Sequence, residues 1–505
     1  MKLTGLAFGL AFFAVLYVAT LAQSPMQAPR IWDDSELEDW ATPIAALSLR
    51  PAHFSSSQYY SVPGDNFRTY PVYHPDSEPP GYWDGLQKQK PQPLVDVTTI
   101  RTRGDWIAAG ERAFRELDHF WSRTSDPALI ARARDPQSFD GILKQRDGTA
   151  VRPRWVVTPQ GVMLSSPACT GCHVGVRADG TVAFAGPGGP RPPSTPPLLP
   201  RGTGVVASNA PLALQNFFVG DAMPMIAWRM YTVPWAPDER IEVRRNQSAQ
   251  EAQGGLQGND AGITNRPHGS PFYATKITDL QVLRYSRYVD ATATHRLRGP
   301  EDVGRYAAFV TGADPMDFGP HRILSDEQRR VRFRYADEVL YAIGMYLMSL
   351  EPPKNPDRAA PDVLRRGEQI FHREACVTCH VPPDYTSGKL TLAQGWEPPA
   401  NHPNRDDIVR VSVGTDPGLA LKTRKGTGFY KVPTLRGVWY RPRLLHDGSV
   451  TTLEEMFDPA RLAAEYEPKG WNPPGVTKRA VPGHTFGLSL TAAEKRDLLA
   501  FLRSL

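Results

Sequence analysis

Two copies of one five-residue pattern hold all 4 cysteines of the chain: Cys169-Thr170-Gly171-Cys172-His173 and Cys376-Val377-Thr378-Cys379-His380. Cys-x-x-Cys-His is the attachment signature of haem c. The two thiols add across the porphyrin vinyl groups as thioethers, and the next residue carries an imidazole to the iron. A zinc or dithiol Cys-x-x-Cys site has no need of that histidine. With 12 histidines among 505 residues, chance rarely places one after both motifs. The spacing therefore predicts two covalently bound haem c groups. Cys169, Cys172, Cys376 and Cys379 attach them, and His173 and His380 are the proximal ligands.

A covalent haem needs elements to hold it, and the chain repeats a set of them. Gly110-Glu111-Arg112-Ala113-Phe114 recurs as Gly367-Glu368-Gln369-Ile370-Phe371, and Tyr346-Leu347-Met348-Ser349-Leu350 recurs as Phe501-Leu502-Arg503-Ser504-Leu505. Apolar spacing predicts a helix over Glu338 to Leu350, stopped by Glu351-Pro352-Pro353. The last helix opens with Thr491-x-x-Glu494, a capping box. Each pair brackets one haem motif, and the glycine lets two helix backbones approach closely where they cross. This order resembles the class I cytochrome c fold.

The expected architecture is mainly α, with two class I cytochrome c-like haem domains and long Pro/Gly-rich loops and insertions. Residues 1–22 form a signal peptide or N-terminal anchor, and 23–95 a loop-rich N-terminal extension. Residues 96–351 form the N-terminal cytochrome c-like domain, and 352–505 the C-terminal one. Phe371 stands 5 positions before Cys376, whereas Phe114 stands 55 before Cys169, so the first domain carries an insertion ahead of its motif. Gly186 to Pro200 is too rich in proline and glycine for a helix or a central strand.

Composition narrows the setting. Proline, at 49 of 505 residues, is about twice its usual share, which suits short helices and many loops. With every cysteine committed to haem, no disulfide framework is expected. A formal net charge of +5 would be largely offset by four haem propionates, and no basic run with interleaved aromatics points to nucleic acid. Lys2 and the apolar run Leu3 to Ala22 read as an export signal, ended by the small residues of Thr20-Leu21-Ala22. Cleaved, it yields a periplasmic or secreted protein; uncleaved, it is long enough to anchor the chain in the inner membrane.

The C-terminal half carries a more specific pattern. Tyr430-Lys431-Val432-Pro433-Thr434-Leu435-Arg436-Gly437-Val438, then His446-Asp447-Gly448-Ser449 and Thr452-Leu453-Glu454-Glu455, resembles the signature of the dihaem cytochrome c peroxidase and MauG superfamily. In pattern it is most similar to the rubber-oxygenase-like branch. The resemblance implies peroxide or O2 chemistry at the N-terminal haem and electron transfer through a six-coordinate C-terminal haem. In the peroxidases a methionine fourteen positions after the histidine of His-Asp-Gly ligates the second iron; here Ala460 stands there. The rubber oxygenases use a second histidine, which His484 in Pro482-Gly483-His484-Thr485-Phe486-Gly487 matches. His446 and Met456 are the alternatives, with His446 otherwise a supporting group oriented by Asp447. Arg441-Pro442-Arg443 occupies the stretch that holds calcium in the peroxidases, and guanidinium groups do not suit a hard cation.

Peroxidases also place a labile distal histidine soon after the first motif, but no histidine lies between His173 and His268. Trp228 and His268 are the candidate catalytic residues, with Trp235, Phe272 and Tyr273 as further pocket aromatics. Three functions follow. The first is a peroxidase-like oxidoreductase taking electrons from a small redox protein. The second is a rubber-oxygenase-like dioxygenase cleaving an apolar unsaturated substrate. The third is a dihaem electron carrier without catalysis.

Overall fold

The computed structural model describes residues 27–139, 145, 147, 149–176, 182–188, 231–243, 262–264, 270 and 272–505. The apolar N-terminal run, the Pro/Gly-rich stretch beyond Gly188, Trp228 and His268 lie outside these residues. Among the described residues helices outweigh strands, in line with a mainly α chain, and no helix is long and apolar enough to cross a membrane.

Two helix crossings organise the molecule. Helix α1 (Arg103–Glu116) starts from a capping box in which Thr102 and Asp105 satisfy each other's backbone N–H groups. It lies across α3 (Asp337–Leu347), which is preceded by α2 (Pro300–Ala308). Helix α3 is buried from Val339 to Leu340 and from Ala342 to Leu347, because α1 and α2 both pack on it. At the crossing, a Cβ on Gly110 would stand 1.8 Å from the Ala342 carbonyl oxygen, so only glycine allows the contact.

The second crossing repeats the first. Helix α4 (Pro361–Arg373) meets α5 (Ala492–Ser504), and a Cβ on Gly367 would stand 2.2 Å from the Asp497 oxygen. Phe371 and Phe501 pack beside it with centroids 5.5 Å apart. The expected capping box of Thr491 and Glu494 opens α5. The expected 338–350 helix runs from Asp337 to Leu347, its last residues relaxing into a turn ahead of Pro352.

Residues 27–95 are built into the N-terminal lobe. Trp32, Trp40 and Tyr59 are fully buried in the same core as α1 and α3. The Trp40 indole N–H donates to the Arg296 carbonyl at 3.0 Å, and the Tyr60 hydroxyl donates to Asp337 at 2.8 Å. Strand β1 (Thr69–Pro71) from this segment pairs antiparallel with β2 (Arg154–Thr158), which pairs in turn with β3 (Gly161–Ser165). The insertion ahead of Cys169 is thus a small sheet. Arg123 ties it to the lobe through Asp65 at 2.6 Å and Asp118 at 2.7 Å, both carboxylates being buried. In the C-terminal lobe, β4 (Leu390–Leu392) lies between β5 (Ile408–Val409), parallel to it, and β6 (Phe429–Lys431), antiparallel.

Candidate functional site

Both Cys-x-x-Cys-His motifs fold into the same turn. The His173 N–H donates to the Cys169 carbonyl at 3.0 Å, and the His380 N–H to the Cys376 carbonyl at 2.9 Å. The turn brings two thiols and an imidazole to one side of a short 3₁₀ segment in each lobe. None of the four sulfurs is in a disulfide. Burial pushes the Cys169 thiol up to about 12 and the Cys376 thiol up to about 11. Among the described residues no group of three or more His, Cys, Asp or Glu side chains is arranged to hold a metal ion. Two free thiols followed directly by a histidine suit thioether attachment of haem.

The histidine of each motif is aimed by a backbone carbonyl. His173 Nδ1 bonds the Thr278 oxygen at 3.1 Å, and His380 Nδ1 bonds the Tyr385 oxygen at 3.2 Å. Carbonyl acceptance fixes Nδ1 as the protonated nitrogen and leaves Nε2 as the free donor pair. Burial pushes both rings down to about 4, so both are neutral at pH 7, the form that ligates iron.

Opposite His380 stands His484. Their ring centroids are 6.5 Å apart with planes inclined by 51°. Two imidazoles sharing one metal at about 2 Å from each donor nitrogen have centroids roughly 6.3 Å apart. His484 Nδ1 is buried without a hydrogen-bond partner, and burial, with His380 and Arg461 nearby, pushes the ring down to about 4. The loop is held firmly: the His484 N–H donates to the Val413 oxygen at 2.6 Å, and Arg461 donates to the His484 oxygen at 2.8 Å. The residues present therefore fit a bis-histidine haem c in the C-terminal lobe.

The alternatives lie elsewhere. Met456 is buried in the apolar core of the lobe. His446 packs its ring on Tyr430, centroids 4.6 Å apart, and its Nδ1 lies 3.3 Å from the Thr415 hydroxyl. Asp447 does not orient that ring by a hydrogen bond. Its carboxylate accepts from the Ser449 N–H at 3.0 Å and from Arg479 at 3.1 Å, because the tight Asp-Gly-Ser turn aims it at the backbone.

Of the expected pocket residues around the first site, Trp235, Phe272 and Tyr273 lie among those described. Trp235 packs on Phe318 and His321 at 5.1 and 5.8 Å. Phe272 lies under Arg240, and Tyr273 lies against Gly418 with Lys422 over its ring. Phe272 and Tyr273 thus both meet Arg240. Trp228 and His268 lie outside the described residues. Thr278, Tyr385, Asp279, Arg441 and Arg461 were not legible in the sequence. Thr278 and Tyr385 act through main-chain oxygens, which side-chain spacing does not report.

No family model matches the chain. The cytochrome-c peroxidase IdrP1 of Denitromonas iodatirespirans is 28% identical over 168 residues, 30% of this chain and 42% of that protein. The chain thus matches less than half the length of that curated relative. Among solved structures, the dihaem peroxidase BthA from Burkholderia thailandensis is 17% identical over 57% of this chain and 87% of that one, with a TM-score of 0.25. A MauG-like protein associated with microbial copper homeostasis is 20% identical over 34% and 56%, with a TM-score of 0.22. Hydrazine synthase from Kuenenia stuttgartiensis is 14% identical over 56% and 87%, with a TM-score of 0.27. TM-scores of this size do not define a common fold. The name of the curated relative agrees with the resemblance to cytochrome c peroxidases and does not single out the rubber-oxygenase branch.

Proposed function

We propose that this chain is an exported dihaem c-type oxidoreductase of the peroxidase kind, built from two cytochrome c domains. Cys169, Cys172 and His173 hold the first haem; Cys376, Cys379, His380 and His484 hold the second. When bound, the haems supply redox-active iron, the first for peroxide or O2 and the second for electron transfer. The observation carrying this reading is the 6.5 Å separation of the His380 and His484 rings, which suits a second iron closed on both faces. Among the described residues no imidazole is paired with His173 in that way. The chain's own contribution is to fix the Nδ1 proton of each proximal histidine on a carbonyl, to keep three imidazoles neutral by burial, and to brace the His484 loop. Peroxide reduction consumes two electrons and two protons and gives two waters, the electrons coming from a small redox protein.

Optical and EPR spectra of the as-isolated protein, never pre-reduced, test this. One low-spin iron and one iron that binds cyanide quickly, with peroxide turnover by a reduced cytochrome, are expected. Ligand binding without peroxide turnover, together with O2 uptake on an unsaturated apolar substrate, would replace the peroxidase reading with the oxygenase one. Failure of either iron to bind an external ligand would leave an electron carrier.

A further inference from the structure

The carbonyl that aims His173 and the carbonyl that aims His380 belong to different lobes, yet a continuous set of bonds joins them. Thr278, which accepts from His173, is followed by Asp279. That carboxylate is buried and crosses into the C-terminal lobe. Its Oδ2 accepts from the Tyr440 hydroxyl at 2.5 Å and from Arg441 Nε at 3.3 Å, while Oδ1 accepts from the Gln281 N–H at 3.1 Å. Arg441 is itself buried and spends its other nitrogens on the 434–436 turn, donating to the Thr434 oxygen at 2.8 Å and to the Arg436 oxygen at 2.5 Å. From that turn the Leu435 N–H donates to the Tyr385 oxygen at 3.1 Å. Tyr385 is the carbonyl that holds His380 Nδ1. The same seam is stitched again where the Lys276 N–H donates to the His446 oxygen at 2.9 Å.

A carbonyl that accepts from Nδ1 sets how much electron density the ring passes to its metal. Both carbonyls here hang on one buried ion pair, whose bonds are strengthened by the low local dielectric and respond to one another. We propose that the Asp279–Arg441 pair is a positioning device that couples the two haem sites, so that the oxidation state at either iron alters the hydrogen bond on the histidine of the other. The proposal rests on the two-haem reading above but not on peroxide chemistry. Coupling of this kind is reciprocal: each iron must shift the other by the same free energy. A field acting through space would need only the charges. The route through bonds needs the planar fork of Arg441, which a lysine does not reproduce.

The holoprotein, carrying both haems by pyridine haemochrome assay, is titrated potentiometrically while EPR follows each iron separately. In the native chain the affinity of one iron for its electron should change at least tenfold with the state of the other, about 59 mV. Arg441→Lys, which keeps the charge, and Asp279→Asn, which removes it, should each cut that dependence to below threefold. Arg284→Gln, which breaks only the exposed pair with Glu351, should leave it intact. Should both seam variants lose a haem, Tyr440→Phe removes a single hydroxyl from Asp279 and should at least halve the dependence. Independent titration of the two irons in the native chain overturns the proposal. So does native-size dependence in Arg441→Lys and Asp279→Asn, or in Tyr440→Phe where that is the variant read. Lost peroxide turnover with this coupling intact would count against the peroxidase reading alone.

Discussion

Arg461 grips the loop of His484 by its backbone. The guanidinium donates to the His484 oxygen at 2.8 Å, to the Val481 oxygen at 2.7 Å and to the Met456 oxygen at 3.0 Å, and the side chain is fully buried. All three acceptors are carbonyls. The loop needs such a brace because Gly483 and His484 both adopt positive φ, and at His484 that conformation carries strain. Arg461→Gln should therefore loosen the imidazole as well as the fold. The expected outcome is a loss of about 2–4 kcal/mol in denaturant unfolding. Part of the low-spin EPR signal should become high-spin in protein that remains folded.

His484→Ala should convert one low-spin iron to high-spin and shift that haem's potential, leaving the other spectrum unchanged. An unaltered low-spin signal would transfer the role to another side chain. Cys169→Ala combined with Cys172→Ala should halve the covalent haem content by pyridine haemochrome assay. Two covalent haems in that variant would defeat the assignment of the first motif.

The glycines at the two crossings should be intolerant of a single methyl group. Gly110→Ala and Gly367→Ala would each force a Cβ within about 2 Å of a facing carbonyl. Each should cost upwards of about 3 kcal/mol, as overpacking against backbone does. Gly85→Ala is the contrast, since no atom lies within 4 Å of a Cβ there and the residue sits in a helix. It should stabilise the protein by about 0.5–1 kcal/mol. Thermal or denaturant unfolding reads all three.

Acid should destabilise the N-terminal lobe at a specific place. The Nε2 atoms of His53 and His295 stand 3.3 Å apart beside Trp40. Burial, with Arg305 nearby, pushes His53 from 6.5 down to about 4. Burial, then His53 and Lys425, pushes His295 well below its ordinary value too, with Asp290 opposing them. The unfolded chain takes up these protons near pH 6.5 while the folded pair refuses them. Stability should be full above that pH and fall between 6.5 and 4, by up to about 1.4 kcal/mol per pH unit for each histidine. His53→Gln should flatten the slope of unfolding free energy against pH in that window.

The parts legible in the sequence were those written in side-chain identity. The two motifs, the repeated glycine and aromatic, and the Thr491 capping box each require a particular residue type; the glycine crossings and the capping box appear in the fold as read, and the motifs fold into matching turns. His484 could be singled out because it departs from the pattern that a methionine would complete. The supports around these residues were not legible. Thr278 and Tyr385 contribute carbonyls that any residue would supply, and Arg461 and Arg441 resemble surface arginines until the loops close over them. Residues 27–95 read as a proline-rich extension because their tryptophans and tyrosines carry no helical or strand period. They are buried one at a time across a core made by distant helices.

The two proximal hydrogen bonds differ in the length of chain they close. His380 reaches its carbonyl 5 residues downstream, whereas His173 waits for a carbonyl 105 residues downstream. The second motif also draws on Leu435, whose N–H donates to the Tyr385 oxygen, and on α5, which packs against α4. The first draws on Thr278, although its motif leaves the ribosome earlier. Closing the longer loop is entropically costlier and slower. The His173 bond should thus form only once Thr278 has emerged, leaving the first motif dependent meanwhile on whatever supplies haem. Chains truncated after Pro271 should therefore lose protection of the His173 region in hydrogen exchange, and native-like protection there would refute this dependence.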